Sequence, residues 1–268
     1  MIWNHDQGLI LKRTDFLGER AWRMDDCYKL IFSPYGKGLY QTPQGDVSIE
    51  KEGFLLFNPG HKHKQLQATK EKFLVEIRPE LLMEAGMQRA ATRSPVEFAT
   101  LSYKHPHLNQ WAHFVRDFFF YQKGEGVDLF LDHSLMQLAV LLMEYGPGSH
   151  QAEWPDVHGE EPVHRAMNAM KESYREAWSL DAMAAVARMN KYQFSHAFKK
   201  ETGFAPYSWL QVYRLFRSQS SLMDTEDSIL SIAFDHGFSS MTTYNHLFKR
   251  IYQKTPSQFR EFYKMNRR

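Results

Sequence analysis

The chain is expected to fold as an α+β protein, a β-rich half followed by an all-helical half. Three observations predict this. Short apolar or alternating runs, cut by Gly and Pro, fill the first hundred residues. From about Leu101 the apolar residues recur at helical spacing instead. And the phrase "HAFKKETGFAP" at 196–206 returns as "HLFKRIYQKTP" at 246–256, an internal repeat. A length of 268 residues suits two cores, and 24% charged residues beside 43% apolar ones sets aside disordered and fibrous classes.

The first strands are read from "YKLIFS" (28–33), "GDVSIEKEGFLLFNPG" (45–60) and "KFLVEIRP" (72–79). Helices follow in "HLNQWAHFVRDFFFYQ" (107–122) and "LFLDHSLMQLAVLLMEY" (129–145). Asp132, His133 and Gln137 interrupt the second of these, which rules it out as a membrane span. Together the two carry more apolar surface than one small β domain covers, which points to pairing of two protomers. "YGPGSHQAEWPDVHGEEP" (145–162) has Gly, Pro and charge without a period, so it reads as a linker. After it every run is helical, with Pro162, Pro206 and Pro256 each placed where a helix begins. The expected boundaries are 1–100 for the β domain, 101–146 for the helical dimerisation region, 147–161 for the linker and 162–268 for the all-α domain. The N-terminus lacks the apolar stretch of a secretory leader, and a lone Cys27 excludes a disulfide framework, so a cytoplasmic protein is expected.

Charge is divided unevenly. The overall +2 conceals 17 Lys/Arg against 22 Asp/Glu in residues 1–161, a net of −5. Residues 162–268 carry 16 against 9, a net of +7. A polyanionic partner for the second half follows from that asymmetry.

Each copy of the repeat has a preamble, "SLDAMAAVARMN" (179–190) and "SILSIAFDHGFSS" (228–240). Both read as a short amphipathic helix, a tight turn and a polar cap, Asn190 or Ser239/Ser240. A second helix then runs from about Lys191 to Thr202, stopped by Gly203, and its counterpart from about Met241 to Tyr252. Two helices joined by such a turn make a helix-turn-helix. Phe194, Ala197 and Phe198, like Tyr244, Leu247, Phe248 and Ile251, take core spacing. Tyr192, Ser195, His196 and Lys199 are left on an outward stripe, matched fifty residues on by Thr242, Asn245, His246 and Lys249. Such stripes suit base edges first and phosphate last. "SWLQVYRLFRSQSSLM" (208–223) joins the copies as a continuous helix, about 24 Å long at ~1.5 Å per residue. A pair fixed on that strut could enter successive major grooves of double-stranded DNA, about 34 Å apart.

Over 162–268 the sequence resembles the AraC/XylS transcriptional regulators, through "SLDAMAAVARMN", "FKKETGFAP", "YRLFRSQSSL", "SILSIAFDHGFSS" and "HLFKRIYQKTPSQFRE". The resemblance implies a seven-helix domain with two helix-turn-helix units. It places base contacts on Tyr192, Ser195, His196, Met241, Thr242, Asn245 and His246, and phosphate contacts on Lys199 and Lys249. It also implies a homodimer, activation, and contact with RNA polymerase. Three departures stand out. His196 and His246 take positions where the family often has Arg. Arg188 lies where Gly is common and where the second unit has Gly237. Gln253 replaces the Gly that ends the first recognition helix, so a different ending is expected for the second.

"EGFLLFNPGHKHKQ" (52–65) and "FLVEIRP" (73–79) resemble the cupin-type effector domain that precedes the DNA-binding domain in many of these regulators. The resemblance implies a β-barrel holding a small-molecule effector, sugars or related metabolites being the family's favoured class. Trp22, Arg23, Tyr28, Tyr40, His63 and Gln65 are nominated near its mouth. His61 and His63 raise the alternative of a metal-dependent cupin enzyme. A catalytic metal needs a third protein ligand, and "SPYGKGLYQTPQG" (33–45) supplies neither His nor Glu. No metal, cofactor or catalytic residue is therefore expected. An architectural DNA binder without an effector is the other rival.

Overall fold

The structure, a computed structural model, describes residues 1–14, 21–67, 70–87, 96–121, 126–148 and 161–266. It forms two compact units, the bulk of the first spanning Met1–His150 and of the second Gln151–Arg250 with Lys254–Asn266. Most of the expected linker (149–160) and Arg267 and Arg268 of the basic tail lie outside the described residues.

The first unit contains strands β1 (Ile2–His5), β2 (Gly8–Arg13), β3 (Tyr28–Ser33), β4 (Gly38–Thr42), β5 (Gly45–Ile49), β6 (Gly53–Phe57), β7 (Lys64–Gln67) and β8 (Lys72–Ile77). Helices α1 (Pro79–Met87), α2 (Pro106–Tyr121) and α3 (Val127–Tyr145) follow. The strands make two antiparallel sheets, β1-β2-β8-β3-β6 and β5-β4-β7. Ile31, Leu55, Phe57 and Leu74 of the larger sheet meet Tyr40 and Ile49 of the smaller one in a shared apolar interior. The other face of the larger sheet is covered by α2: Phe32 meets His113 edge-on at 5.2 Å, and Phe73 lies 6.5 Å from Trp111. Burial on both faces is why β3, β6 and β8 read as nearly unbroken apolar runs while β4 alternates. The hairpin β1–β2 and helix α1 are additions to what the sequence predicts.

The second unit is helical throughout its described residues: α4 (Pro162–Glu172), α5 (Leu180–Val186), α6 (Lys191–Thr202), α7 (Pro206–Asp224), α8 (Ile229–Asp235), α9 (Met241–Tyr252) and α10 (Pro256–Asn266). Proline opens α4, α7 and α10, where a missing N–H costs nothing. Met167, Met170, Met183, Phe194, Phe198, Trp209 and Tyr213 pack around the first pair, α5 and α6. Around the second pair, Phe238 meets Tyr244 at 4.8 Å and Phe248 meets Phe259 at 5.1 Å. Helix α7 belongs to both halves. Its N-terminal part gives Trp209 and Tyr213 to the first cluster, and further along Ser218 Oγ lies 2.9 Å from the Tyr244 hydroxyl. With 19 residues it is longer than its sequence pattern suggests, about 28 Å at ~1.5 Å per residue.

Candidate nucleic-acid interface

The two helix pairs are built alike, starting from their caps. Asn190 Oδ1 accepts from the Tyr192 and Gln193 amides at 3.1 and 2.9 Å, which starts α6. Ser240 Oγ accepts from the Thr243 amide at 3.4 Å and starts α9. Ser179 and Ser228 cap α5 and α8 in the same way, at 3.1 and 3.0 Å.

The turns need a left-handed residue, and the two pairs supply it differently. Arg188 has φ 55° and Gly237 has φ 84°. The glycine is required twice over, because a Cβ there would stand 2.8 Å from the Arg175 carbonyl oxygen and 2.9 Å from Arg214 Nε. From the left-handed residue to the next cap is two steps in the first turn (Arg188 to Asn190) and three in the second (Gly237 to Ser240), so the second turn is one residue longer. At the far end, Gly203 closes α6 at φ 81° and Gln253 follows α9 at φ 54°. This corrects the sequence expectation: α9 ends through the same left-handed geometry as α6, with a side chain absorbing strain of about 1–2 kcal/mol.

Burial then sorts the faces. Along α6, Phe194 and Phe198 are buried, while Tyr192 (80% exposed), His196 and Lys199 are exposed and Ser195 is half-buried. Fifty residues on, Tyr244 and Phe248 are buried, Thr242, His246 and Lys249 are exposed, and Asn245 and Met241 are half-buried. All nine residues of the expected contact set therefore stand on the outer faces of α6 and α9, in the same order. Polar groups precede the cation on each face, with Met241 added at the start of α9, and Lys200 or Arg250 stands next to that cation in the final turn.

Behind the faces, buried polar groups lock the frame. Arg214 is buried and donates from Nε to Tyr174 O at 2.6 Å and from Nη2 to Glu176 O at 2.5 Å, tying α7 to the segment after α4. His236, in the second turn, is held between the Tyr174 hydroxyl (3.3 Å to Nδ1) and Ser221 Oγ (3.0 Å to Nε2). Burial and the Arg175 and Arg217 guanidiniums push its pKa down to about 4.

In the first unit, the nominated effector residues are only partly brought together. Tyr40 and Gln65 are register partners, Tyr40 meets Phe57 at 5.8 Å, and His63 stacks on Phe57 at 4.1 Å. Arg23 and His63 exchange backbone hydrogen bonds at 2.8 and 2.9 Å. Trp22 is 42% exposed, with Lys62 and Lys64 Nζ about 5.5 and 5.4 Å from its ring. Tyr28 does not join them: it alternates away from Lys29 and Ile31, and its hydroxyl donates to Val96 O at 2.5 Å. His61 Nδ1 contacts Thr100 Oγ1 at 3.2 Å. Among the described residues no three His, Cys, Asp or Glu side chains are grouped to hold a metal.

Sequence reading missed an ionic group beside them. Buried Lys29 bonds Asp25 and lies 3.3 Å from Glu76 Oε1, and His63 Nε2 is 3.9 Å from Asp25 Oδ2. Burial works against the Asp25 charge, but the Lys29 hydrogen bond and its positive charge hold the carboxyl below its usual range. The one available signal was a lysine inside an apolar strand. The Cys27 thiol, pushed up to about 12 by burial and Glu76, is no nucleophile.

A family model described as a helix-turn-helix domain matches residues 183–261. The chain is 35% identical over 86 residues to the HTH-type transcriptional regulator MtrA of Neisseria gonorrhoeae, covering 32% of this chain and 29% of that protein. It is 30% identical over 102 residues to the virulence regulon transcriptional activator VirF of Yersinia enterocolitica, covering 38% of each. It is 33% identical over 86 residues to the probable transcription factor PqrA of Proteus vulgaris, covering 32% of this chain and 70% of that one. The match thus spans well under half the length of MtrA and VirF, and in all three cases the relatives are transcription regulators by name.

Proposed function

Because this chain belongs to the AraC/XylS family of transcriptional regulators, we propose that it reads double-stranded DNA through α6 and α9 and regulates transcription from the cytoplasm. One observation carries the reading. Helices α6 and α9 present matching outer faces, polar groups followed by a lysine, fifty residues apart on a basic unit built around one continuous helix. Tyr192, Ser195, His196, Met241, Thr242, Asn245 and His246 face base edges, and Lys199 and Lys249 hold phosphates. The name of VirF favours activation, with RNA polymerase as the partner in this reading.

The first unit takes the part of effector domain, its two facing sheets forming a cupin-like barrel. A small polar metabolite is its ligand, and Arg23, Tyr40, His63 and Gln65 beside the Lys29–Asp25–Glu76 group are the candidate contacts. Exposed Phe114 and Leu129 on α2 and α3 support a homodimer through the helical region. Ligand binding then acts by biasing how two DNA-reading units are presented to neighbouring half-sites.

The test is a binding titration of the full chain on a duplex selected from a random pool, and on its scrambled counterpart. Affinity for both should fall steeply between about 50 and 200 mM salt. His196→Ala and His246→Ala should each cost on the order of 1–3 kcal/mol on the selected duplex and little on the scrambled one. Lys199→Ala and Lys249→Ala should weaken both alike and flatten the salt slope by about one unit each. Equal proportional losses for His and Lys variants on both duplexes would reduce the outer faces to a general electrostatic surface.

A further inference from the structure

The outer faces of α6 and α9 match in layout but differ in what they offer a base. Ser195 on α6 and Asn245 on α9 hold the same place, each the fifth residue of its helix and fifty residues apart. Both are half-buried, beside the core residues Phe194 and Phe198 in one helix and Tyr244 and Phe248 in the other. Thr242 comes three residues before Asn245 and Lys249 four after it, so the three share one side of α9. Asn245 thus stands between a base contact and a phosphate contact, about one helical turn from each. Asn190 uses its carbonyl on the amides that start α6, whereas the Asn245 side chain makes no hydrogen bond among the described residues. Both ends of its carboxamide are open to a partner from outside.

Chemistry separates the two positions. A primary amide carries N–H donors and a carbonyl acceptor side by side. Adenine shows the complementary pair in the major groove, an N7 acceptor beside an N6–H donor, so one Asn bonds it twice. Guanine offers two acceptors there, thymine an acceptor and a methyl group, and cytosine a donor. Each of these leaves half of the amide unmatched. A serine hydroxyl donates or accepts as the base requires, and so discriminates little. Tyr192 and Thr242 have a hydroxyl as well, and His196 and His246 are the same residue. Among the nine contact residues, Asn245 alone carries a donor and an acceptor fixed side by side.

We propose that Asn245 makes binding under α9 depend on one adenine, while the matched position under α6, facing Ser195, tolerates any base pair. The inference rests on the proposed DNA-reading function and names a base that the function left open. The two helices then read unlike stretches of groove in spite of their common layout.

The experiment uses the full chain, the selected duplex, and copies of that duplex with each base pair replaced in turn by the other three. At one A·T pair, replacement should lower the affinity of the unaltered chain about five- to a hundredfold. Asn245→Ala should bind all four versions of that position alike. Asn245→Asp, an acceptor only, should prefer cytosine there, any loss from its added charge being common to the four. Ser195→Ala should level the preference at no position. Replacing that adenine by 7-deazaadenine, which lacks the N7 acceptor, should weaken the unaltered chain and leave Asn245→Ala unaffected. Where a variant fails to fold, the 7-deazaadenine series on the unaltered chain decides, since it should show one sensitive adenine whose replacement by any other base is equally costly. A levelled position that prefers a base other than adenine, or an Asn245→Ala loss shared by every duplex, overturns the inference and leaves the DNA-reading function standing. A position levelled as strongly by Ser195→Ala overturns the contrast between the helices. Failure of the function itself would show differently, as an unaltered chain that binds selected and scrambled duplexes alike.

Discussion

Acid should loosen the second helix pair through His236. The ring is 6% exposed, bonded on both nitrogens, and stacked 6.0 Å from Tyr174. The Arg175 and Arg217 guanidiniums lie 5.5 and 5.7 Å from the centre of that same Tyr174 ring, and Asp235 only partly offsets them. Protonation would place a third cation in this group and turn the imidazole's single accepting nitrogen into a donor. The folded pKa is about 4 against an ordinary 6.5, so the neutral ring is the form the fold favours. Its contribution is therefore complete above pH 6.5 and is lost as pH falls from there toward 4. At about 1.36 kcal/mol per unit, the loss between pH 7.5 and 5 is about 2 kcal/mol. Urea denaturation of the full chain and of His236→Gln at both pH values measures it. The unaltered chain should lose about 2 kcal/mol more than the variant over that interval. Equal losses would refute the placement of a neutral imidazole in this turn.

The left-handed positions should respond in opposite senses. Gly237→Ala adds a Cβ against the Arg175 carbonyl in a backbone that disfavours it, and should cost about 2–4 kcal/mol by denaturant melting. Arg188→Gly, relieving φ 55°, should be neutral or stabilising by up to about 1 kcal/mol. Asn190→Ala removes two cap bonds from α6 and should cost about 1 kcal/mol, again read by melting. Metal analysis of the purified protein should find no stoichiometric zinc, iron or manganese, and a bound metal that leaves on His63→Ala would favour a cupin enzyme.

The helical half was legible because its punctuation is local. Asn190, Gly203, Pro206 and Pro256 act within one turn of themselves, and the 3.6 period separates Phe194 and Phe198 from His196 and Lys199 without outside help. Gln253 misled because residue preference is weak where tertiary packing fixes the chain. Gln takes the left-handed angle that Gly takes fifty residues earlier, and no local signal announces it. In the first unit, β1 is four residues with mixed exposure, too short for alternation to register, and α1 follows β8 with Pro79 mistaken for a strand's end. The Lys29–Asp25–Glu76 group joins positions nearly fifty apart, and the burial of Gln211 depends on neighbours across the fold. The first shows only as a lysine inside an apolar run, and the second leaves no trace in a window of sequence.

Because α7 is packed into both helix pairs, the distance and angle between the two pairs are properties of the folded core and not of a tether. A site built of two short words would then be read only at one spacing. Adding about five base pairs between the words turns the second groove to the far side of the duplex, since one turn takes about 10.5 base pairs. No rotation of α7 can follow it without exposing Trp209 or Tyr244. Promoters answering to this protein would tolerate changed letters far better than a changed gap.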